Sequence, residues 1–479
     1  MAIDHYSTAQ QMLNALDKGE ISSVELTELH ISRIKEKDDA LNAMPIKTFD
    51  RAREAAKVAD QRRAKGETGS LLGIPMTLKE STLVAGLPQT AGISDFMGYE
   101  PTIDGKLAND VFNSGANLLG KTNIPVALGD WQADSPVYGR TNNPWDLSRT
   151  PGGSTGGGGA ALASGMTPLE VGSDIGGSIR VPATYCGVYG HRPSETAIPK
   201  SGSFPMADLP NPAVLMPVQG PLTRSAGDLE LLFDVLIGAE IGEDAAWRLE
   251  LPAARSQQLS DFRVAAIPLL LDMPTSSSTR SRFDELIKFL VDRGAKVESV
   301  MPEIDMQEYY LDYTRLLNCV TSQGMPREIR EARATEMRKV GDPVVDAMAD
   351  GFVLDAAEFL SLVTRREFSR AQWRAFFMEW DIVLSPMTLD VAFPHQDGDF
   401  ADRKLIIDNQ ELPYFMNIIY PMLPIFAGLP STAFPAGLDA QGLPLGFQAI
   451  GPYLEDRTTL KFAQLLEEAW YKFEVPPGY

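Results

Sequence analysis

Apolar residues recur at helical spacing in three segments at the start of the chain, with alanine and charged residues between them. The segments are residues 7–18, 22–37 and 49–65. An apolar residue at every third or fourth position is typical of a helix that buries one face. The pattern therefore predicts an N-terminal helical layer within residues 1–65.

After this layer, short apolar runs alternate with helical segments. Such alternation is typical of an α/β protein, in which helices pack on the faces of a sheet. Residues 303–379 are helical and charged, and we interpret them as an outer segment or cap. We find neither a repeat nor a low-complexity linker, so one large domain over residues 1–479 is expected. The predicted strands are residues 72–79, 117–120, 169–172, 263–268, 296–300 and 381–385, with short β runs in 429–451, and the later predicted helices are 108–114, 160–164, 281–293 and 457–473.

Composition narrows the class of protein. The 479 residues are 44% hydrophobic and carry a formal net charge of −21, which repels phosphate backbones and anionic membrane surfaces. Neither nucleic acid nor a membrane is therefore expected as a partner. The two cysteines form no CxxC pair, so no disulfide framework or thiolate zinc site is expected, and a reducing, cytoplasmic location fits them best.

Two segments bear on export and membrane insertion. Residues 1–15 carry Asp4 and other polar residues where a signal peptide needs a basic start and an apolar stretch. Residues 414–429 are apolar, but Asn417, Pro421 and Pro424 interrupt them, and they are shorter than the roughly 20 residues of a membrane-spanning helix. We expect no secretion, and we interpret the second segment as buried.

Two glycine-rich loops each contain a serine. Ser154 lies in the run 152–159, and Ser178 follows 24 residues later, directly after Gly176 and Gly177. Glycines before a helix allow positive φ angles and leave backbone N–H groups free for an anion or an oxyanion. The two loops together favour a functional site, although structural turns with inactive serines remain the alternative.

Two kinds of site fit these loops poorly. A phosphate-binding P-loop needs a lysine within the glycine run, and none is present. A serine hydrolase elbow matches the Gly-x-Ser-x-Gly pattern around Ser154, but it needs a strand directly before it, and residues 141–151 are polar and contain proline. An elbow also needs a histidine base, for which His191 and His395 remain candidates.

A third kind of site uses Lys79 as the base. Lysine can take a proton from a serine only if its ammonium form is disfavoured, and burial behind the apolar residues 74–78 does this. Ser154 can then relay the proton from an attacking Ser178. As structural alternatives, Glu80 serves as an ion-pair partner of Lys79, and His191 is a packed or surface residue.

The sequence resembles the amidase signature family of serine hydrolases. The resemblance rests on residues 72–79, 139–145, 152–157 and 172–193, and more weakly on 381–386 and 427–435. It implies a single α/β/α domain around a mixed sheet, with Lys79 as general base, Ser154 as bridging serine, Ser178 as nucleophile and a cis peptide bond between Gly153 and Ser154. The resemblance implies no metal and no organic cofactor. The implied oxyanion hole consists of the backbone N–H groups of Ile175, Gly176, Gly177 and Ser178.

The chain departs from the usual family pattern without losing a catalytic group. Thr155 replaces a more common serine, Gly158 and Gly159 stand where small or hydroxylic residues are usual, and residues 190–193 read Gly-His-Arg-Pro. We interpret Asp174 and Arg180 as supports that order the second loop.

The expected activity is hydrolysis of a carboxylic acid amide through a serine acyl-enzyme. The aromatic and apolar residues 414–429 favour acyl or aryl amides, with anilides and some esters included, over a charged amino acid. The expected partner is thus a small-molecule amide, acted on by a stand-alone acylamidase. The family also contains the glutaminase subunit of a tRNA-dependent amidotransferase, which is the main alternative, and catalytically silent members are a further one. The oligomeric state stays open, a homodimer included.

Overall fold

An eleven-stranded mixed sheet forms the centre of the computed structural model, which describes residues 3–203 and 215–479. The strand order is β1-β3-β2-β6-β8-β7-β14-β15-β11-β9-β10, and two short hairpins lie outside the sheet. The strands are β1 Ile46–Lys47, β2 Pro75–Lys79, β3 Asn117–Thr122, β4 Asp134–Ser135, β5 Gly139–Arg140, β6 Leu169–Asp174, β7 Tyr189–Arg192, β8 Val218–Thr223, β9 Arg263–Ala266, β10 Lys296–Glu298, β11 Ile382–Pro386, β12 Lys404–Ile407, β13 Gln410–Pro413, β14 Ser431–Leu438 and β15 Pro444–Ile450.

Fourteen α-helices accompany these strands in the described part of the chain. Several begin at a side-chain cap, such as Thr8 before α1 and Ser22 before α2, each with a reciprocal bond from the residue three positions later. The helices are α1 Ala9–Asp17, α2 Ser23–Leu41, α3 Phe49–Ala64, α4 Lys106–Asn113, α5 Gly156–Ala163, α6 Arg180–Cys186, α7 Ala226–Leu236, α8 Ser277–Asp292, α9 Met306–Thr321, α10 Arg327–Met337, α11 Pro343–Val353, α12 Ala356–Phe376, α13 Met422–Ala427 and α14 Asp456–Ala469.

Helices cover both faces of the sheet. Side chains of a strand point alternately to opposite faces, and in β9 Val264 belongs to one apolar cluster while Ala265 belongs to another. The first cluster also contains residues of α1, α4, α7, α8 and α14, and the second contains residues of α9, α12 and α13. This arrangement confirms the expected α/β/α fold with a mixed sheet.

Parallel and antiparallel pairs are segregated within the sheet. Strand β2 pairs in parallel with β3 and β6, and β9 pairs in parallel with β10 and β11. The strands between these groups, from β6 through β8, β7, β14 and β15 to β11, pair in antiparallel. Strand β2 is buried along its whole length, which explains why it reads as an apolar run ending in a lysine.

The helices and strands predicted from the pattern are confirmed with shifts of a few residues. The segment 303–379 contains α9 to α12, while its role as a cap stays a prediction. Residues 414–429 are mostly buried, as expected, in a short 3-10 helix and α13. Within the described residues, no helix is long and apolar enough to cross a membrane. Strands β7 and β8 and helices α6 and α7 lay outside the predicted elements.

Candidate active site

The carboxyl end of β2 places Lys79 next to the first glycine loop. Its Nζ lies 2.6 Å from the Ser154 Oγ and 3.0 Å from the Ser173 Oγ. The lysine is only 1% exposed. The structure thus joins Lys79 and Ser154, as expected, and adds Ser173, which the sequence analysis did not single out.

Burial changes the chemistry of this lysine. It lowers the pKa of Lys79 from 10.5 to about 7, because the protein interior disfavours the ammonium form, while the carboxyl groups of Asp174, Glu170 and Glu80 act in the opposite direction. At neutral pH a large fraction of Lys79 is therefore uncharged, and an uncharged amine can accept a proton from a hydroxyl group.

Glu80 is not the ion-pair partner that the structural alternative required. Its Oε1 accepts hydrogen bonds from the Thr90 hydroxyl at 2.9 Å and the Tyr138 hydroxyl at 2.7 Å, and its Oε2 accepts from the Ala91 N–H. In the described part of the chain, no salt bridge joins Lys79 to a carboxylate. The lysine is held by serine hydroxyls instead.

The first glycine loop approaches other backbone closely. Gly152 has a φ of +88°, and a Cβ on Gly153 would lie 2.2 Å from the Asp130 carbonyl oxygen. These two positions therefore require glycine. The peptide bond between Gly153 and Ser154 is cis, which confirms the prediction.

The second glycine loop, between β6 and α6, carries Ser178. The Thr155 N–H donates to the Ser178 carbonyl oxygen at 3.2 Å, so the two serine loops are in contact. Within residues 3–203 and 215–479, the Ser178 hydroxyl makes no hydrogen bond with the protein. It is therefore available to a substrate, although the structure shows no bond between Ser154 and Ser178.

Two aromatic side chains fix the backbone of the second loop. The Trp131 Nε1–H donates to the Gly176 carbonyl oxygen at 3.0 Å, and the Tyr313 hydroxyl donates to the Ile175 carbonyl oxygen at 3.0 Å. The carbonyl and N–H of a trans peptide point in opposite directions. Both bonds thus turn the following N–H groups, those of Gly176 and Gly177, away from the aromatic side chains.

Asp174 uses one of the four predicted oxyanion donors. Its Oδ1 accepts the Gly177 N–H at 3.0 Å, and its Oδ2 accepts the Ile179 N–H at 3.2 Å. The N–H groups of Ile175, Gly176 and Ser178 make no hydrogen bond with the described residues. Three of the predicted donors are therefore free for an oxyanion.

Arg180 and Arg192 hold Asp174 in place. Arg180 contacts both carboxylate oxygens at 3.0 and 3.1 Å, and Arg192 donates to the Asp174 carbonyl oxygen at 2.8 Å. Burial would raise the pKa of Asp174, but the two guanidinium groups lower it to about 2. These contacts support the interpretation of Asp174 and Arg180 as residues that order the loop, and they add Arg192 to this role.

The histidines of the alternative elbow lie elsewhere. The His191 ring nitrogens contact the Thr432 hydroxyl at 2.9 Å and the Asp456 carboxylate at 3.2 Å, and the His395 Nε2 contacts the Asn142 side chain at 3.1 Å. Neither contacts Ser154 or Ser178, and no strand directly precedes Ser154. The geometry thus speaks against a histidine-based elbow.

The two unusual glycines at the start of α5 have steric causes. A Cβ on Gly158 would lie 2.6 Å from the Glu170 Cγ, and a Cβ on Gly159 would lie 3.1 Å from the Cys186 Sγ. The side chains of Glu170 and Cys186 take the space that larger residues in α5 would need. In the described ranges, no group of three or more His, Cys, Asp or Glu side chains is arranged to hold a metal.

A buried, largely uncharged lysine bonded to a loop serine, beside a second serine with free N–H groups, is typical of hydrolases that use serine without histidine. The family model described as Amidase matches residues 25–460. The chain belongs to the amidase signature family, whose enzymes hydrolyse amides.

Relatives of two kinds resemble the chain over nearly its whole length. One component of a glutamyl-tRNA(Gln) amidotransferase from Thioalkalivibrio sulfidiphilus is 30% identical, covering 99% of this chain and 100% of its own length. A putative amidase, AmiB2, from Mycobacterium tuberculosis is also 30% identical, covering 97% of this chain and 96% of its own. Among solved structures, a bacterial aryl acylamidase matches with a TM-score of 0.82 and 25% identity, covering 99% of each chain.

Proposed function

We propose that this chain is a stand-alone acylamidase that hydrolyses apolar or aromatic carboxamides, with some esters, through an acyl-enzyme on Ser178. The observation that carries the proposal is the composition of the wall around the second serine loop. Trp131 and Tyr313 bond to the loop. The Ile418 Cδ1 lies 3.5 Å, and the Tyr313 hydroxyl oxygen 3.9 Å, from the point where a Cβ of Gly176 would be. An apolar or aromatic acyl group fits such a wall.

Charges near this wall are already paired. The Asp130 carboxylate accepts the Tyr414 hydroxyl at 2.7 Å and forms a salt bridge with Arg403. Asp174 is paired with Arg180 and Arg192. A glutamine substrate brings an ammonium and a carboxylate group, and each needs an unpaired partner of opposite charge. The described wall offers neither, which favours an uncharged amide.

The mechanism follows from the contacts of the lysine. Uncharged Lys79 takes the proton of the Ser154 hydroxyl, which takes the proton of the Ser178 hydroxyl as the Ser178 oxygen attacks the amide carbon. The free backbone N–H groups at Ile175, Gly176 and Ser178 stabilise the oxyanion. Lys79 then returns the proton through Ser154 to the leaving nitrogen, and water hydrolyses the acyl-enzyme.

The glutaminase of a tRNA-dependent amidotransferase remains the second candidate, because a full-length relative at 30% identity belongs to a glutamyl-tRNA(Gln) amidotransferase. A cytoplasmic location is part of the proposal. It is supported by the two cysteines, Cys186 and Cys319, which are both free thiols.

A substrate panel on the purified full-length chain tests the proposal. We expect kcat/KM for an acetanilide or a benzamide to exceed that for glutamine by at least about a hundredfold, since a polar head group buried without partners costs several kcal/mol. Ser178→Ala should abolish all hydrolysis and so assign it to this site. Comparable or faster hydrolysis of glutamine would overturn the proposal in favour of the glutaminase.

Ile418 provides a matched pair of variants. Ile418→Val keeps the wall apolar and should keep most anilide turnover. Ile418→Asp introduces a carboxylate and should lower kcat/KM for anilides by at least about tenfold. Equal activity of the two variants would show that this wall does not contact the substrate.

A further inference from the structure

A second titratable side chain is buried beside the strand that carries the base. Glu170 lies on β6 directly opposite Thr77 on β2 in the parallel pair. Lys79 follows Thr77 by two residues, so both side chains point to the same face of the sheet. Glu170 is fully buried, which is exceptional for a carboxyl group and calls for a compensating interaction.

The neighbouring helix is shaped to admit this carboxyl group. A Cβ on Gly158 in α5 would lie 2.6 Å from the Glu170 Cγ and 2.8 Å from its Oε1. The Thr122 hydroxyl donates to the same Oε1 at 2.7 Å. The Oε2 is buried and has no hydrogen-bond partner in the described structure. The site thus holds the carboxyl group in one place without satisfying all of its polar capacity.

The other charged groups around Lys79 have partners of their own. Asp174 is paired with Arg180 and Arg192, and Glu80 accepts hydrogen bonds from Thr90, Ala91 and Tyr138. Lys121, on β3, donates to the Pro88 carbonyl oxygen and is influenced by Glu80. For Glu170, by contrast, Lys79 is the described charged side chain that acts on its carboxyl group.

We propose that Glu170 is a positioning residue for the base, and that its carboxylate stabilises the ammonium form of Lys79 created when the serine hydroxyls release their proton. This inference rests on the proposed role of Lys79. The proton moves from Ser178 to Ser154 and from Ser154 to Lys79, and Glu170 keeps the resulting positive charge from standing alone in a buried site. No bond forms between Glu170 and the substrate.

The pKa values of the two groups agree with this role. Burial raises the pKa of Glu170 to about 7, against the effect of hydrogen bonds and of Lys79, and burial lowers the pKa of Lys79 to about 7. Groups that interact this strongly titrate as a pair. Loss of the negative charge makes protonation of Lys79 less favourable, so the pKa that governs activity falls.

The test is the pH dependence of Ser178 labelling by a fluorophosphonate in full-length Glu170→Gln. This probe reports activation of the serine without requiring the correct substrate, so a wrong proposed function would not obscure the result. We expect the acidic limb of the labelling rate to move down by about one pH unit, a tenfold effect at fixed pH on the limb. The plateau rate should fall by roughly tenfold because the ammonium is less stabilised.

Matched variants separate this role from a structural one. Glu467, on α14, is another carboxyl group whose pKa burial raises to about 7, and it accepts the Ala226 N–H rather than acting on Lys79. Glu467→Gln should leave the limb unchanged, and Glu170→Asp should restore it in part. If Glu170→Gln does not fold, Gly158→Ala, which displaces the carboxyl group, should produce the same shift. A wild-type limb in the folded Glu170→Gln or Gly158→Ala variant would overturn the inference.

Discussion

The lowered pKa of Lys79 predicts the acidic limb of the pH profile. Free lysine, with a pKa of 10.5, is uncharged in about one molecule in three thousand at pH 7, whereas a pKa of about 7 leaves about half uncharged. The difference corresponds to about 5 kcal/mol in the protonation free energy, supplied by burial against the opposing carboxyl groups. Activity should therefore rise tenfold per pH unit up to about pH 7 and then level off.

The assay is kcat/KM for an anilide between pH 5 and 9, measured on the wild type and on Lys79 variants. Lys79→Ala should lower amide turnover by on the order of a thousandfold or more, because no base remains to move the serine proton. Lys79→Arg should be equally inactive, since a guanidinium group does not release its proton. Esters should lose less than amides, because an alkoxide leaves without the proton that an amine requires.

Histidine variants are the controls for this limb, because imidazoles also titrate near neutral pH. His191→Ala and His395→Ala should each keep most of the activity and the wild-type limb, as both side chains are bonded away from the two serines. Activity lost in either variant, together with a tolerated Lys79→Ala, would refute the lysine mechanism and require a histidine base.

The remaining predictions concern the second serine loop. Peptide mass spectrometry after fluorophosphonate treatment should find the adduct on Ser178, and an adduct on Ser154 would contradict the assignment of the nucleophile. Trp131→Phe removes the hydrogen bond to the Gly176 carbonyl oxygen and should lower kcat by up to about tenfold with little change in KM; an unchanged kcat would show that this bond does not order the donors. Gly177→Ala should lower the free energy of unfolding by at least about 1–2 kcal/mol, because φ is +89° there. In calorimetry Gly176→Ala, which has no positive φ, should lose less, and equal losses would contradict this account.

The sequence was sufficient to predict the elements that carry Lys79, Ser154 and Ser178. Lys79 ends an apolar run, and both serines follow glycines, so each leaves a local signal in the chain. The fully buried strand β2 and the loop before α5 were therefore recognisable without a structure. The cis bond before Ser154 could be predicted only from the resemblance.

Strands β7 and β8 and helix α6 lacked such local signals. Strand β8 contains Gly220 and Pro221, and α6 begins directly after a glycine loop and contains Pro182, so both segments resemble turns. Tertiary contacts determine these elements: β8 pairs on both sides, with β6 and β7. Propensity is a weak predictor where sheet neighbours supply the hydrogen bonds.

The parts of the site that sequence analysis missed share one property. Trp131, Tyr313 and Ile418 reach the second loop from distant segments, and their positions depend on the packing of the helical layer against the sheet. Chemistry and selectivity are thus encoded differently in this chain. The lysine and serines lie in contiguous motifs, while the wall that faces the acyl group is assembled from separate parts of the fold. A relative can therefore share the motifs and act on another amide, which is why the wall around Gly176, rather than overall identity, carries the argument for an apolar substrate.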